Sequence, residues 1–76
     1  MSKHSGIHPM IRQIVDRCHV GDSHLTVIRY FVSRLKTGHA TWLTLDRRTR
    51  RDWICQIVAR HNENQELYRD VMKGGI

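Results

Sequence analysis

The chain has 76 residues, 39% of them hydrophobic, and its 13 Lys/Arg against seven Asp/Glu give a net charge of +6 with histidine neutral. This length fits one domain, residues 1–76, with a small core, and it leaves little room for the concave, water-excluding site of an enzyme. No stretch holds the roughly 18–20 apolar residues of a membrane span, and no apolar run typical of a secretory signal follows Met1. We therefore expect a cytoplasmic protein, with residues 1–7 flexible.

The first predicted helix covers about residues 9–19. Pro9 suits a first helical turn, where its missing N–H costs nothing. The residues that recur at the spacing of one apolar helix face are Ile11, Ile14, Val15 and Cys18. Gly21 can adopt the left-handed conformation that ends a helix, and Asp22 or Ser23 can cap the helix that follows.

The second predicted helix covers about residues 23–36 and is the expected centre of the core, because it is rich in apolar residues. Its predicted buried seam is Leu25, Ile28, Val32 and Leu35, widened by Val27, Tyr30 and Phe31. A polar strip that includes Arg29 and Lys36 lies apart from this seam. Gly38 is expected to end the helix.

The third predicted helix follows a segment, residues 39–45, that crosses to it without forming a strand. Thr44 or Asp46 can cap this helix, which we expect to reach about residue 73. Its apolar face is formed by Ile54, Ile57, Val58, His61, Tyr68, Val71 and Met72. Asn62 could begin a fourth helix instead, although one continuous helix is favoured. The fold class is therefore all-α, a small bundle of three or four helices with a long C-terminal helix.

An arginine run opens the last predicted helix. Its members are Arg47, Arg48, Arg50 and Arg51. Helical geometry places three of them on one side and Arg48 toward the flank. Cations at a helix N-terminus oppose the helix dipole, at roughly 0.3–1 kcal/mol each. The run therefore indicates a surface for an anionic partner, although local pairing with Asp46 and Asp52 is an alternative.

The positive charge is uneven along the chain. Residues 1–51 carry ten Lys/Arg and three Asp, whereas residues 52–76 carry three Lys/Arg and four Asp/Glu. The front two-thirds therefore has a net charge of +7 and the tail a net charge of −1. Such a basic surface attracts polyanions through long-range steering and counterion release.

The first two helices resemble a helix-turn-helix when the turn is aligned on residues 19–21. The expected apolar positions are then filled by Ile14, Cys18, Val20, Leu25 and Ile28. Val15 and His19 stand where small residues are expected, and an ordinary helical hairpin is therefore the preferred interpretation. A helix-turn-helix would present to a major groove the side chains of Ser23, His24, Thr26, Val27 and Arg29.

The spacing of the cysteine and histidine residues does not indicate a metal site or a catalytic site. In both Cys18…His24 and Cys55…His61, five residues separate the pair, unlike the gaps of two to four typical of zinc sites. Both cysteines are expected to be reduced and to serve as small core residues. His61 is expected to be a hydrogen-bonded histidine of the core or of an interface. We predict no cofactor, no metal and no enzymatic activity.

The leading hypothesis is a non-enzymatic nucleic-acid-binding accessory or regulatory protein, with DNA favoured over RNA and a homodimer as one option. Phosphate contacts would come from the arginine run, extended by Arg29, Arg34 and Lys36. The alternative is a protein-interaction module, of the accessory or inhibitor type that phages, prophages and plasmids encode, docked on a larger acidic or nucleic-acid-handling partner. Its anchors would be Trp42, Trp53, Tyr68, Val71 and Met72. Binding to a membrane is disfavoured, because the apolar faces are needed for the core.

Overall fold

A computed structural model describes residues 7–74, which form four α-helices. The helices are α1 (Pro9–Val15), α2 (His24–Ser33), α3 (His39–Thr44) and α4 (Arg47–Gly74). The predicted all-α bundle with a long C-terminal helix is confirmed, and α4 continues through Asn62 without a break. The expected flexibility of residues 1–7 lies outside the described residues except at Ile7, which packs half-buried against the core.

The core is made by one face each of α1, α2 and α4. Its buried apolar residues are Ile11, Val15, Val27, Phe31, Leu35 and Ile57. The predicted apolar face of α1 is confirmed, with Ile14 and Cys18 half-buried at its margin. Pro9 occupies the first turn of α1 as expected.

The buried stripe of α2 differs from the predicted seam. Val27 and Phe31 are fully buried, whereas Leu25 is 57% exposed. Ile28 and Val32, also assigned to the seam, are only partly buried. A helix that is apolar on several sides offers more than one stripe of correct spacing, and its contacts with α1 and α4 decide which stripe is buried.

Three helix boundaries differ from the predicted ones. The first helix ends at Val15, because the N–H groups of Arg17 and Cys18 bond to carbonyls only three residues back. Segment 39–45 contains the short helix α3 instead of an irregular crossing. Gly38 adopts a positive φ of 58° directly before α3, so it starts that helix rather than ending α2 at Ser33.

Residues 16–23, which connect α1 and α2, are fastened to the middle of α4. His61 is 1% exposed, and its Nε2 lies 2.7 Å from the carbonyl oxygen of Asp22. Gln65 donates from Nε2 to the carbonyl of Val20 at 2.8 Å. The prediction of a hydrogen-bonded core histidine is therefore confirmed. The connection is about twice as long as the three- to four-residue turn of a helix-turn-helix, and the two helices form an ordinary hairpin.

Candidate functional site

The candidate site lies where α4 begins, and Asp46 caps that helix. The carbonyl of Asp46 accepts the first helical hydrogen bond, from the Arg50 N–H at 3.0 Å. Hydrogen bonding from the Thr49 side chain, reinforced by backbone N–H groups of the first turn, lowers the pKa of Asp46. The Asp46 carboxylate therefore accepts hydrogen bonds from the first turn, at the positive end of the helix.

Two tryptophans pack at this helix start. The Trp53 ring stands edge-on to Phe31, and the Trp42 ring lies tilted at 49° to Trp53 with 6.5 Å between centroids. Both indoles are half-buried against the core. Both tryptophans thus pack against the core, and Trp42 also borders the arginines. Their role as interface anchors stays a prediction.

The four arginines form one surface, called here the arginine surface (Arg47, Arg48, Arg50 and Arg51). One shallow depression of about 460 Å³ is lined by Trp42, Arg47, Arg50, Arg51, Ile54 and Cys55. A neighbouring depression is lined by Arg48, Thr49, Arg51, Asp52 and Cys55. The predicted helical arrangement, with three arginines together and Arg48 on the flank, matches this geometry.

The arginine surface has no acidic partner within the described chain: none of its four guanidinium groups forms an ion pair with a carboxylate of residues 7–74. Asp46 caps the helix, and Asp52 accepts a hydrogen bond from Gln56 Nε2 at 2.9 Å. The local pairing of these two carboxylates with arginines, considered from the sequence, does not form. The four positive charges therefore face solvent or an external anion.

Three more basic residues were expected to extend this surface. Arg29, Arg34 and Lys36 are all exposed, but none of them lines either depression. Helical register places Arg29 roughly 160° around α2 from the buried stripe, on the side that faces away from the core. Their contribution to the same binding surface stays a prediction.

The residues suggested for major-groove contacts do not form one exposed face. Val27 is fully buried. His24 is half-buried, with its ring edge-on to His61 at a centroid distance of 5.2 Å. The hydroxyl groups of Ser23 and Thr26 bond each other at 2.9 Å, and Ser23 also caps α2, as expected. Helix α2 therefore contributes to the core, and of the five suggested side chains only Ser23, Thr26 and Arg29 are exposed.

The two cysteines have different environments. Cys18 is half-buried, and burial together with the nearby Asp22 raises the pKa of its thiol. Cys55 is exposed and borders the arginine surface, so its predicted role as a core residue is wrong. Within residues 7–74, no three His, Cys, Asp or Glu side chains gather closely enough to hold a metal ion. None of the helices described is both long and apolar enough to cross a bilayer.

The opposite end of α4 carries a second exposed feature. Its large apolar side chains are Leu67, Tyr68, Val71 and Met72, which are 59%, 53%, 66% and 65% exposed. A groove of about 640 Å³ is lined there by Val20, Gly21, Gln65, Tyr68, Arg69, Met72 and Lys73. The sequence predicts Tyr68, Val71 and Met72 as interface anchors and misses Leu67. The signal for Leu67 was the recurrence of the apolar pairs 67–68 and 71–72 at a helical spacing of four.

The chemistry of the arginine surface suits phosphate. Guanidinium groups bind phosphate oxygens in a bidentate manner, and they stay charged at any physiological pH. Comparisons of the chain with protein-family models, curated proteins and solved structures gave no match. The residues of the site are therefore the basis for a functional assignment.

Proposed function

We propose that the protein is a non-enzymatic accessory or regulatory protein that binds nucleic acid, DNA in preference to RNA, through the arginine surface. The observation that carries this proposal is the set of four guanidinium groups with no carboxylate partner among residues 7–74. Phosphate groups, spaced closely along a nucleic-acid backbone, supply the missing counter-charge and release condensed cations on binding.

The position of these arginines supports a ligand-binding role. Cations in the first turn of a helix lower its stability by roughly 0.3–1 kcal/mol each. Carboxylates in the same positions would stabilise α4, yet its first turn contains none. A binding partner offsets this loss, because an anion is favoured both by the arginines and by the positive end of the helix.

A charge-matched pair of variants tests the proposal. The first replaces Arg47, Arg50 and Arg51 with Gln, and the second replaces Lys3, Arg12 and Arg17 with Gln, none of which belongs to the arginine surface. Both lose three positive charges, so general attraction to a polyanion falls equally. We expect gel shifts with random-sequence duplex and single strands to weaken strongly for the first variant and slightly for the second. Equal weakening would show that net charge, not this surface, governs binding.

The alternative function is a protein-interaction module, and the exposed apolar end of α4 favours it. Exposed Tyr and Met side chains beside a groove are typical of contact surfaces between proteins. A pull-down that keeps its partner after nuclease treatment would support this alternative. Loss of all captured protein after nuclease treatment would support nucleic acid as the direct ligand.

A further inference from the structure

We propose that the exposed end of α4 pairs with the same segment of a second copy of this chain, antiparallel and about a two-fold axis. The segment, called here the helix overhang, comprises residues 66–73, all of them exposed. Among residues 7–74, the hydrogen bond from Gln65 to the Val20 carbonyl is the last that ties α4 to the connection between α1 and α2. Beyond it the helix continues for roughly 12 Å.

The overhang continues the face of α4 that is buried further upstream. Ile57 and His61 are buried against the bundle. Tyr68 lies seven residues after His61, and Val71 lies three residues further, which keeps both on that face. The overhang therefore continues the apolar face of α4 beyond the part that α1 and α2 cover. This exposed face is suited to pack against another helix.

Charge favours a second copy over an acidic partner as the occupant. Two molecules with a net charge of +6 repel each other over most of their surfaces. The overhang carries Glu66 and Asp70 against Arg69 and Lys73, a net charge of zero. Two copies can therefore approach at this segment without net repulsion, whereas an acidic partner would gain nothing from it.

The position of the bundle dictates an antiparallel arrangement. Helices α1 and α2 lie on the same face of α4 that the overhang presents. In a parallel pair, each bundle would occupy the space required by the other. In an antiparallel pair, each bundle lies beyond the C-terminal end of the partner helix, and the same residues meet from both sides as two-fold symmetry requires.

The exposed area fits a weak dimer. Each of the four apolar side chains offers roughly 100 Å², so two copies can bury at most roughly 800 Å² from these residues alone. Gln65, Val20 and the aliphatic part of Arg69 line the adjoining groove and add to it. The total reaches the low end of the range for specific interfaces, about 1,000 Å². We expect a dissociation constant on the order of micromolar.

The dimer would carry two arginine surfaces and could therefore bind nucleic acid at two places, a consequence that rests on the proposed function. The overhang and the arginine surface lie at opposite ends of α4, roughly 30 Å apart. An antiparallel pair therefore places two arginine surfaces roughly 60 Å apart, at the two far ends of the assembly. Such a dimer would hold two nucleic-acid segments at once.

Sedimentation velocity of the full-length protein tests the dimer directly. We expect the sedimentation coefficient of the parent to rise with concentration up to about 0.2 mM, well above the expected dissociation constant. A variant with Leu67→Glu and Val71→Glu should remain monomeric with unchanged helical content. The control Leu43→Glu, at a residue 60% exposed on α3, should still dimerise. A monomeric parent at every concentration, or an overhang variant that dimerises normally, would overturn the proposal.

A bridging assay separates this proposal from the proposed function. A bead-bound duplex captures a second, labelled duplex only when one assembly binds both. The overhang variant should bind duplex and fail to bridge, whereas the variant of Arg47, Arg50 and Arg51 should dimerise and fail to bind. Duplex binding by a monomeric parent would refute the dimer and leave nucleic-acid binding intact.

Discussion

The indole ring of Trp53 stands edge-on to the phenyl ring of Phe31, with 5.7 Å between centroids and 90° between ring planes. Phe31 is fully buried in α2, and Trp53 follows Arg51 by two residues on α4. The aromatic pair therefore joins the arginine surface to the centre of the core. Because edge-to-face aromatic pairs pack in a defined geometry, the arginines are carried on a fixed helix start.

The charge of the first turn of α4 gives the first prediction. Replacement of Arg48 with Glu should raise the free energy of unfolding by roughly 0.6–2 kcal/mol, because it removes a disfavoured cation and adds a favoured carboxylate at the positive end of the helix. Urea denaturation at low ionic strength measures this change. The control Lys73→Glu, in the last turn of α4, should instead lower the free energy of unfolding, because a carboxylate is disfavoured at the negative end of a helix. A lower free energy of unfolding in Arg48→Glu would mean that Arg48 makes a stabilising interaction in the folded protein.

The pairing of Arg60 with Asp16 gives a pH-dependent prediction. The guanidinium donates from Nε to Oδ1 at 2.8 Å and from Nη2 to Oδ2 at 2.9 Å. These bonds, with a further one from Asn64, lower the pKa of Asp16 below its ordinary value of 3.8. A carboxyl whose pKa is lower in the folded state stabilises the fold above pH 3.8, and this stabilisation is lost as the pH falls through the folded-state pKa.

Asp16→Asn should therefore lower the free energy of unfolding at neutral pH. It should also make that free energy less dependent on pH in the acid range. The Asp16 side chain is 42% exposed, and solvent screening limits the loss to about 1 kcal/mol. Denaturation curves recorded from neutral pH down to about pH 2 should converge for parent and variant at the acid end. The control Asp70→Asn, on the overhang, should follow the parent. Parallel curves at all pH values would contradict the assignment.

The buried contact between His61 and Asp22 gives a third prediction. A backbone carbonyl can only accept, so His61 Nε2 donates to it at 2.7 Å. His61→Leu should leave the Asp22 carbonyl without this donor and cost roughly 1–3 kcal/mol of stability. His61→Gln, which keeps an N–H donor, should lose less. Equal losses in urea denaturation would show that packing, not the hydrogen bond, is what His61 contributes.

The two cysteines allow a chemical footprint of the site. N-ethylmaleimide should label exposed Cys55 quickly and Cys18 slowly, because burial protects the Cys18 thiol and raises its pKa. Cys55→Ser should remove the fast phase. Since Cys55 borders the arginine surface, saturating duplex DNA should slow the fast phase several-fold. An unchanged rate in the presence of bound DNA would place the contact elsewhere.

Periodicity in the sequence predicts most of this fold. The spacing of Ile11 and Val15 identifies the buried face of α1, and Ile57 with His61 identifies that of α4. Cys55 lies one residue after Ile54, and a rotation of 100° per residue takes it off this face. Its exposure was therefore predictable from helical geometry, although its apolar neighbours suggested burial.

Other features depend on contacts between distant residues. The choice of Val27 over Leu25 as a core residue of α2 follows from where α1 and α4 pack, and α2 alone satisfies either choice. The bond from Gln65 to Val20 joins residues 45 positions apart. No local pattern specifies such a contact. The lack of carboxylate partners around the arginine surface has a local cause instead, because Asp46 and Asp52 bond to Thr49 and Gln56 within one helical turn.

The dependence of duplex affinity on salt tests the central claim most directly. For the parent, the logarithm of the association constant should fall linearly with the logarithm of salt concentration, with a slope of about −0.9 per phosphate contact. Replacement of Arg47, Arg50 and Arg51 with Gln should make this slope shallower by about 2 to 3 units. The charge-matched variant of Lys3, Arg12 and Arg17 should keep the parental slope. Identical slopes and affinities for the parent and the arginine-surface variant would contradict the account.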